Sequence, residues 1–322
     1  MLTIRLLGIA SLGMLCAFHA GAQAPVYPLK PITVLVGIGA GSNTDVLARI
    51  AAKRLSDRLK QPVLVENRPG AGGTIAAATV AGAPADGYTL LWASSSIPLF
   101  PHMYQNLKFD PIKDLIGVGG VAEGGLVMLT RPNAPWKSLA DLIAYGKSKP
   151  KGTITYASAG IGSNAYLFSE LFAQSAGLEF VHVPYKGSSA ALTDVMAGQV
   201  DFVFDGPSTA IPQVKSGRVS AIAFSTKNRS AFMPDIPTMN EAGAKGFAQR
   251  TWLGFFAPVG TPKAVVQRLS DDIQGFVVEP SFRNELAAAA HEPMKMSSTD
   301  FSAMVSRESE EWALRLKTIK LE

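Results

Sequence analysis

Twice along this 322-residue chain an apolar, strand-like run ends in glycines and opens at once into an amphipathic segment. The first is ITVLVGIGAGSNTDVLAR, residues 32–49, and the second is TITYASAGIGSNAYLF, residues 153–168. A strand that turns on glycine into a helix is the building unit of α/β layers with largely parallel sheet. The same turn sets a helix N-terminus, with its unpaired N–H groups and about half a positive charge, where an anion can sit. Neither turn contains Lys or Arg, so any grip on an anion comes from N–H groups and hydroxyls rather than from an ion pair.

The first turn also invites comparison with a dinucleotide-binding loop, and Glu66 ends the next strand, where such folds keep a ribose-binding acid. Position 42 is Ser, so GxGxxG is not completed, and there is no GxxxxGK[ST]. Ser42, with Asp45 three residues on, resembles a capping box, and Ser163 or Asn164 is suited to cap the second helix. At each of these residues capping and ligand contact both stand.

The alternation of segments continues through most of the chain. Helices are expected over 42–59, 74–81 and 138–149, and strands over 62–67, 88–94, 180–185, 201–205 and 220–225. Two strand-like pieces lie around 115–130, and the C-terminal part reads as mostly helical. No linker or low-complexity tract separates the halves, which fits two lobes joined by crossing connections. The lobes are expected over 23–124 with 250–322, and over 125–249.

Residues 1–22 carry one Arg, an apolar core and Ala20-Gly21-Ala22, the pattern of a cleaved secretory signal. No other stretch approaches the roughly 20 apolar residues of a membrane helix. Cleavage removes Arg5 and Cys16, the sole cysteine, leaving 29 basic against 25 acidic residues and no thiol chemistry. Charges so few and so dispersed give no nucleic-acid face. The remaining histidines, His102, His182 and His291, show no HExxH or paired spacing, and there is no GxSxG elbow. Neither a metal nor a cofactor is expected. His182, in FVHVPY, reads as a satisfied strand residue. The enzymatic alternative is an exported enzyme acting on a small acid, with Asp45 or Asp205 as acid or base.

In this order, YPLKPITVLV, GSNTDVLAR, PVLVENRPGAGG, ADGYTL, TYASAGIGS, HVPYKGSSAALTDVMAGQVDF, PDIPTMNEAG and TWLGFFAPVGTP resemble the Bug receptors. These are the periplasmic solute-binding components associated with tripartite tricarboxylate transporters, and the resemblance covers nearly all of the mature chain. It implies an α/β fold, a two-lobed periplasmic binding protein of type II with its ligand cleft between the lobes. It further implies a monomeric, non-enzymatic receptor closing on a small organic carboxylate: a di- or tricarboxylate, an aromatic acid, or an acidic or amidated amino acid. Its partners would be membrane transporter subunits or a sensor kinase. Carried over, the ligand contacts are Gly41, Ser42, Asn43, Thr44 and Asp45 in the first turn and Ser158, Gly160, Gly162, Ser163 and Asn164 in the second. Asp205 matches a position that faces the far end of the ligand in amino-acid-binding members, with helix capping as the competing role. Tyr88, Ser94 and Ser95 lie at the ends of the third strand, where such folds place ligand contacts. Tyr185 and Lys186 belong to the cleft or to hinge packing.

The chain departs from the family at the first loop. Gly37, Ile38 and Gly39 stand where proline, an aromatic and proline are usual, Ser42 replaces a glycine, and Tyr166 stands where His is usual. A loop without those prolines is less preorganised, and a cleft without that ring lacks a flat wall, which leaves two alternatives, a bulkier or differently shaped acid and a receptor with little affinity.

Overall fold

The first apolar run becomes β1 (Ile32–Val36), which lies between β2 (Val63–Asn67) and β3 (Thr89–Ser94), parallel to both. Side chains alternate across a strand. Accordingly Ile32, Val34 and Val36 pack with Leu47, Ala51 and Leu55 of α1 (Asn43–Leu59). Leu35 points the other way, into the cluster holding Ala76, Ala77 and Val80 of α2 (Thr74–Ala81). Each fully buried aliphatic chain contributes about 1.5–3 kcal/mol. That two-sided burial commits β1 to the middle of a layer. The structure, a computed structural model, describes residues 27–318, so the expected signal at 1–22 lies outside the described residues.

After α3 (Phe100–Met103) and β4 (Leu115–Gly124) the chain passes to a second sheet. There it forms β5 (Val127–Thr130), α4 (Leu139–Ser148), β6 (Ile154–Ser158), α5 (Asn164–Ala176) and β7 (Phe180–Pro184). These are followed by α6 (Ser188–Met196), β8 (Phe202–Asp205), α7 (Pro207–Lys215) and β9 (Ser220–Phe224). It then returns through β10 (Thr251–Pro258) to α8 (Lys263–Val277), α9 (Pro280–Ala288), β11 (Glu292–Met296) and α10 (Ser298–Arg315).

The six-stranded sheet runs β11-β4-β10-β3-β1-β2 and the five-stranded sheet runs β7-β6-β8-β5-β9. The two share one plan. In each, the first strand after a crossing, β10 or β5, inserts antiparallel between its neighbours. Both faces of both sheets are covered by apolar clusters. This is the two-lobed α/β architecture that the resemblance implies. No described helix is long and apolar enough to cross a membrane.

Most expected elements form within a residue or two of their predicted bounds. The C-terminal helices form as expected, but TWLGFFAP, to which no element was assigned, is β10, a central strand. All eight of its residues are buried, so no polar alternation marks it, and a short apolar run is ambiguous by periodicity. β11 also falls in a tract read as helical. With β10 and β11 antiparallel in the six-stranded sheet and β5 antiparallel in the five-stranded one, both sheets are mixed rather than largely parallel.

Candidate functional site

The two glycine turns meet across a narrow cleft between the sheets. The first leaves β1 at Val36 and enters α1 after Ser42. The Ser42 hydroxyl accepts from the Asp45 N–H at 3.3 Å, and Asp45 Oδ2 accepts from the Gly41 N–H at 2.9 Å. The expected capping box is therefore made with Gly41 in place of the cap residue. Gly41 holds φ +74°, which a side chain would strain. Asp45 is buried, and it accepts further from Asn67 Nδ2 at 2.8 Å and Arg49 Nε at 3.0 Å. Burial alone would raise its pKa, but the bonds from Arg49, Gly41 and Asn67 outweigh burial and hold it below the ordinary carboxylate value.

The second turn repeats the design. Ser163 caps α5, accepting from the Tyr166 N–H at 3.3 Å, and its hydroxyl donates to the Gly160 carbonyl at 2.7 Å. Ser158 ends β6 fully buried, with its Oγ 2.7 Å from His182 Nε2 and accepting the Gly160 N–H at 3.0 Å. His182 stacks on Tyr156, and burial pushes its pKa down to about 4, so it is the satisfied neutral strand residue the sequence suggested. Tyr166 packs edge-on against the His182 imidazole rather than reaching the cleft.

Of the expected contacts, Asn43, Thr44, Ser94, Ser163, Asn164 and Asp205 line the cleft, whose space is about 70 Å³. Gly41, Ser42, Asp45, Ser158, Gly160 and Gly162 do not line it. Their polar groups and positive φ angles serve the turns themselves. Ser96, Ser188, Ile38, Leu126 and Phe204 also line it and were missed, and the small residues Gly72, Ala159, Ala165 and Gly206 complete the wall. Ser96 lies two residues beyond Ser94, which was expected, and Ile38 lies in the first glycine turn, but no local pattern marks which residues of these segments face the cleft.

Asn43 and Thr44 open α1, and Asn164 and Ala165 open α5. First-turn N–H groups have no carbonyl four residues back to bond. Two positive helix ends therefore face one space from opposite lobes. Asp205 is the one charged residue on that wall. It is 2% exposed and accepts from the Thr209 hydroxyl at 2.6 Å, and burial raises its pKa despite the bonds from Thr209, the Gly206 N–H and Ser188. Its neighbour Gly206, not Asp205, is the cap residue of α7.

The lobes touch around the cleft. The Ser189 hydroxyl donates to the Ala40 carbonyl at 3.0 Å and Asn164 Nδ2 donates to Ser94 Oγ at 3.3 Å. The Tyr104 hydroxyl spans the Ala71 and Ile161 carbonyls, and a Cβ on Gly72 would meet the Ile161 oxygen at 2.2 Å. Tyr185 is packing, as its hydroxyl donates to Asp194 at 2.5 Å. Tyr88 sits at the far end of β3, its ring 5.0 Å from Tyr27, and Glu66 pairs with Arg68 on the surface. The nucleotide comparison therefore has no ribose acid at the cleft. A larger hollow, about 290 Å³, lies where the chain crosses between sheets, lined by Glu123, Lys227, Arg250 and Glu292 among others. Neither glycine turn reaches it. No cluster of three or more metal-ligating side chains occurs among the described residues.

Comparison with known proteins agrees with the two-lobed fold. The structure of the periplasmic binding protein BugD superposes with TM-score 0.86 and 32% identity, over 90% of this chain and 98% of that one. A Rhodopseudomonas palustris protein solved with adipate gives TM-score 0.87 and 32% identity, over 91% and 98%. MatC from the same organism, with bound malate, gives TM-score 0.83 and 31% identity, over 89% and 99%. These relatives are solute-binding receptors rather than enzymes. With residues 47–321 matching the family described as the tripartite tricarboxylate transporter family receptor, this chain belongs to that family and is a solute-binding protein.

Proposed function

We propose that this protein captures a small organic carboxylate between its lobes and hands it to membrane transporter subunits of the tripartite tricarboxylate type. The observation that carries the reading is the convergence of two helix N-termini, at Asn43–Thr44 and Asn164–Ala165, on one cleft without Lys or Arg. First-turn N–H groups and a helix dipole each favour an anion there. The acids bound by the two similar proteins, adipate and malate, agree with it. Thr44, Ser94, Ser96, Ser163, Asn164 and Ser188 are the proposed polar contacts, with Asn43 at the edge. The receptor acts as a periplasmic monomer after loss of residues 1–22. Its lobes are 23–124 with 250–322, and 125–249.

Asp205 sets the character of the ligand's other end. An ammonium or amide brought against Asp205 would be held by its carboxyl oxygens, whereas a plain dicarboxylate takes its hold from the helix ends and needs nothing from Asp205. The ligand classes separate in a melting experiment on the refolded mature protein, with mono- and dicarboxylates, aromatic acids and amino acids as probes. A ligand at about 100 times its dissociation constant adds ~2.7 kcal/mol, a shift of several degrees. Acids should stabilise the wild type, and Asp205→Ala should lose amine-bearing acids while keeping plain dicarboxylates. Silence across all acids would overturn the receptor reading. Equal loss of both classes would remove Asp205 from recognition.

A further inference from the structure

We infer that Asn43 is a latch: a side chain of one lobe that caps a helix of the other and so holds the cleft shut without ligand. The need for it lies in α7. That helix starts after Gly206, which has no side chain to cap with, and it has no side-chain cap of its own. Pro207 has no N–H and the Thr209 and Ala210 N–H groups bond the Gly206 carbonyl, so the Ser208 N–H is the first-turn donor that α7 leaves without a partner of its own. Asn43, the first residue of α1 in the opposite lobe, supplies what is missing. Its Oδ1 accepts from the Ser208 hydroxyl at 2.6 Å and from the Ser208 N–H at 3.3 Å.

The fit is steric as well as polar. A Cβ built on Gly206 would stand 2.1 Å from Asn43 Cγ and 2.4 Å from Asn43 Nδ2. The Asn43 amide thus fills the volume that a side chain at the cap residue would fill. Its orientation is fixed from behind by His291, a positioning residue. His291 Nδ1 lies 2.8 Å from the Ala289 carbonyl, and a carbonyl can only accept, so that nitrogen carries the proton. Nε2 is then an acceptor, and it faces Asn43 Nδ2 at 3.5 Å. The amide NH₂ is turned to the imidazole and the amide oxygen to α7. When the lobes part, Asn43 leaves, and α7 loses its cap to water.

Each cap of this kind is worth about 1 kcal/mol. The resting molecule is accordingly biased toward closure, and a ligand enters only when the latch opens. That use rests on the receptor reading above, but the latch itself is measured with no ligand present. Small-angle scattering of the refolded mature protein should show a larger radius of gyration for Asn43→Ala than for the wild type. Gly206→Ala should give the same expansion from the other lobe, by pushing the Asn43 amide away, and it carries the test if Asn43→Ala folds poorly. Amide exchange at Ser208 should rise about fivefold in both, the ratio that a lost cap represents. Folded variants with the wild-type radius and unchanged exchange would overturn the latch, and so would a wild type already as expanded as they are. A latch that holds in a protein binding no acid would leave this inference standing and the receptor reading fallen.

Discussion

Asp45 and Asp205 carry the same carboxyl group and are driven in opposite directions. Bonds from Arg49, Gly41 and Asn67 keep Asp45 ionised, while burial against the cleft raises Asp205. Both were equal candidates in the sequence, since three-dimensional partners decide a pKa and spacing does not. The chain's buried histidines push stability the other way from Asp205. The folded-state pKa of His182 is about 4 against an ordinary 6.5. Between those values the unfolded chain takes up a proton that the folded one refuses, so stability falls as pH drops from 6.5 toward 4 and is unaffected above that window. Denaturant titrations across pH should show that fall. His182→Gln, which does not titrate, should remove part of the slope. The remainder belongs in part to His291, whose pKa burial also lowers. An identical slope in the variant would show that His182 is not held neutral.

Elements were easier to read than their partners. β1 with α1 and β6 with α5 follow from an apolar run, glycines and a serine cap, all local properties. The glycine turns were thereby legible as helix starts, but which of their residues face the cleft was not. Ser42 and Ser163 spend their oxygens alike on the Asp45 and Tyr166 N–H groups, yet Ser163 lines the cleft and Ser42 only adjoins lining residues. β10 escaped because burial on both faces erases the alternation that marks a strand. The α5 terminus offers a direct test of the anion seat. Ala165→Asp puts a negative charge on the cleft wall and should weaken binding of any carboxylate by at least about tenfold, since ~1.4 kcal/mol is easily lost there. Ser42→Asp keeps a capping group behind the wall and should lose less. A titration in which the two variants bind equally well would move the anion away from α5.

At the scale of the whole molecule, the two sheets share their strand order, and the chain crosses between them beside the β4–β10 ladder. Gly124 pairs with Thr251 across that ladder, so the two ends of the first lobe already lie side by side. Joining 124 to 250 through an Asn-Gly turn should close a β-hairpin and yield a first lobe that folds without residues 125–249. A cooperative melt and dispersed amide spectrum would show it. A molten product would mean that the lobes depend on each other's surfaces, in keeping with the Asn43 to Ser208 contact at α7. The α/β class, the order of most elements and the two anion-competent turns can be read from local residues, because hydrophobic period, glycine and serine caps act within a few positions. The central place of β10, the burial of Asp205 and the tying down of Asp45 emerge only when the folded layers meet. So does the reach of Asn43 across to a helix some 165 residues away along the chain. Those outcomes depend on which surfaces meet, and contacts between distant segments leave no local pattern to read.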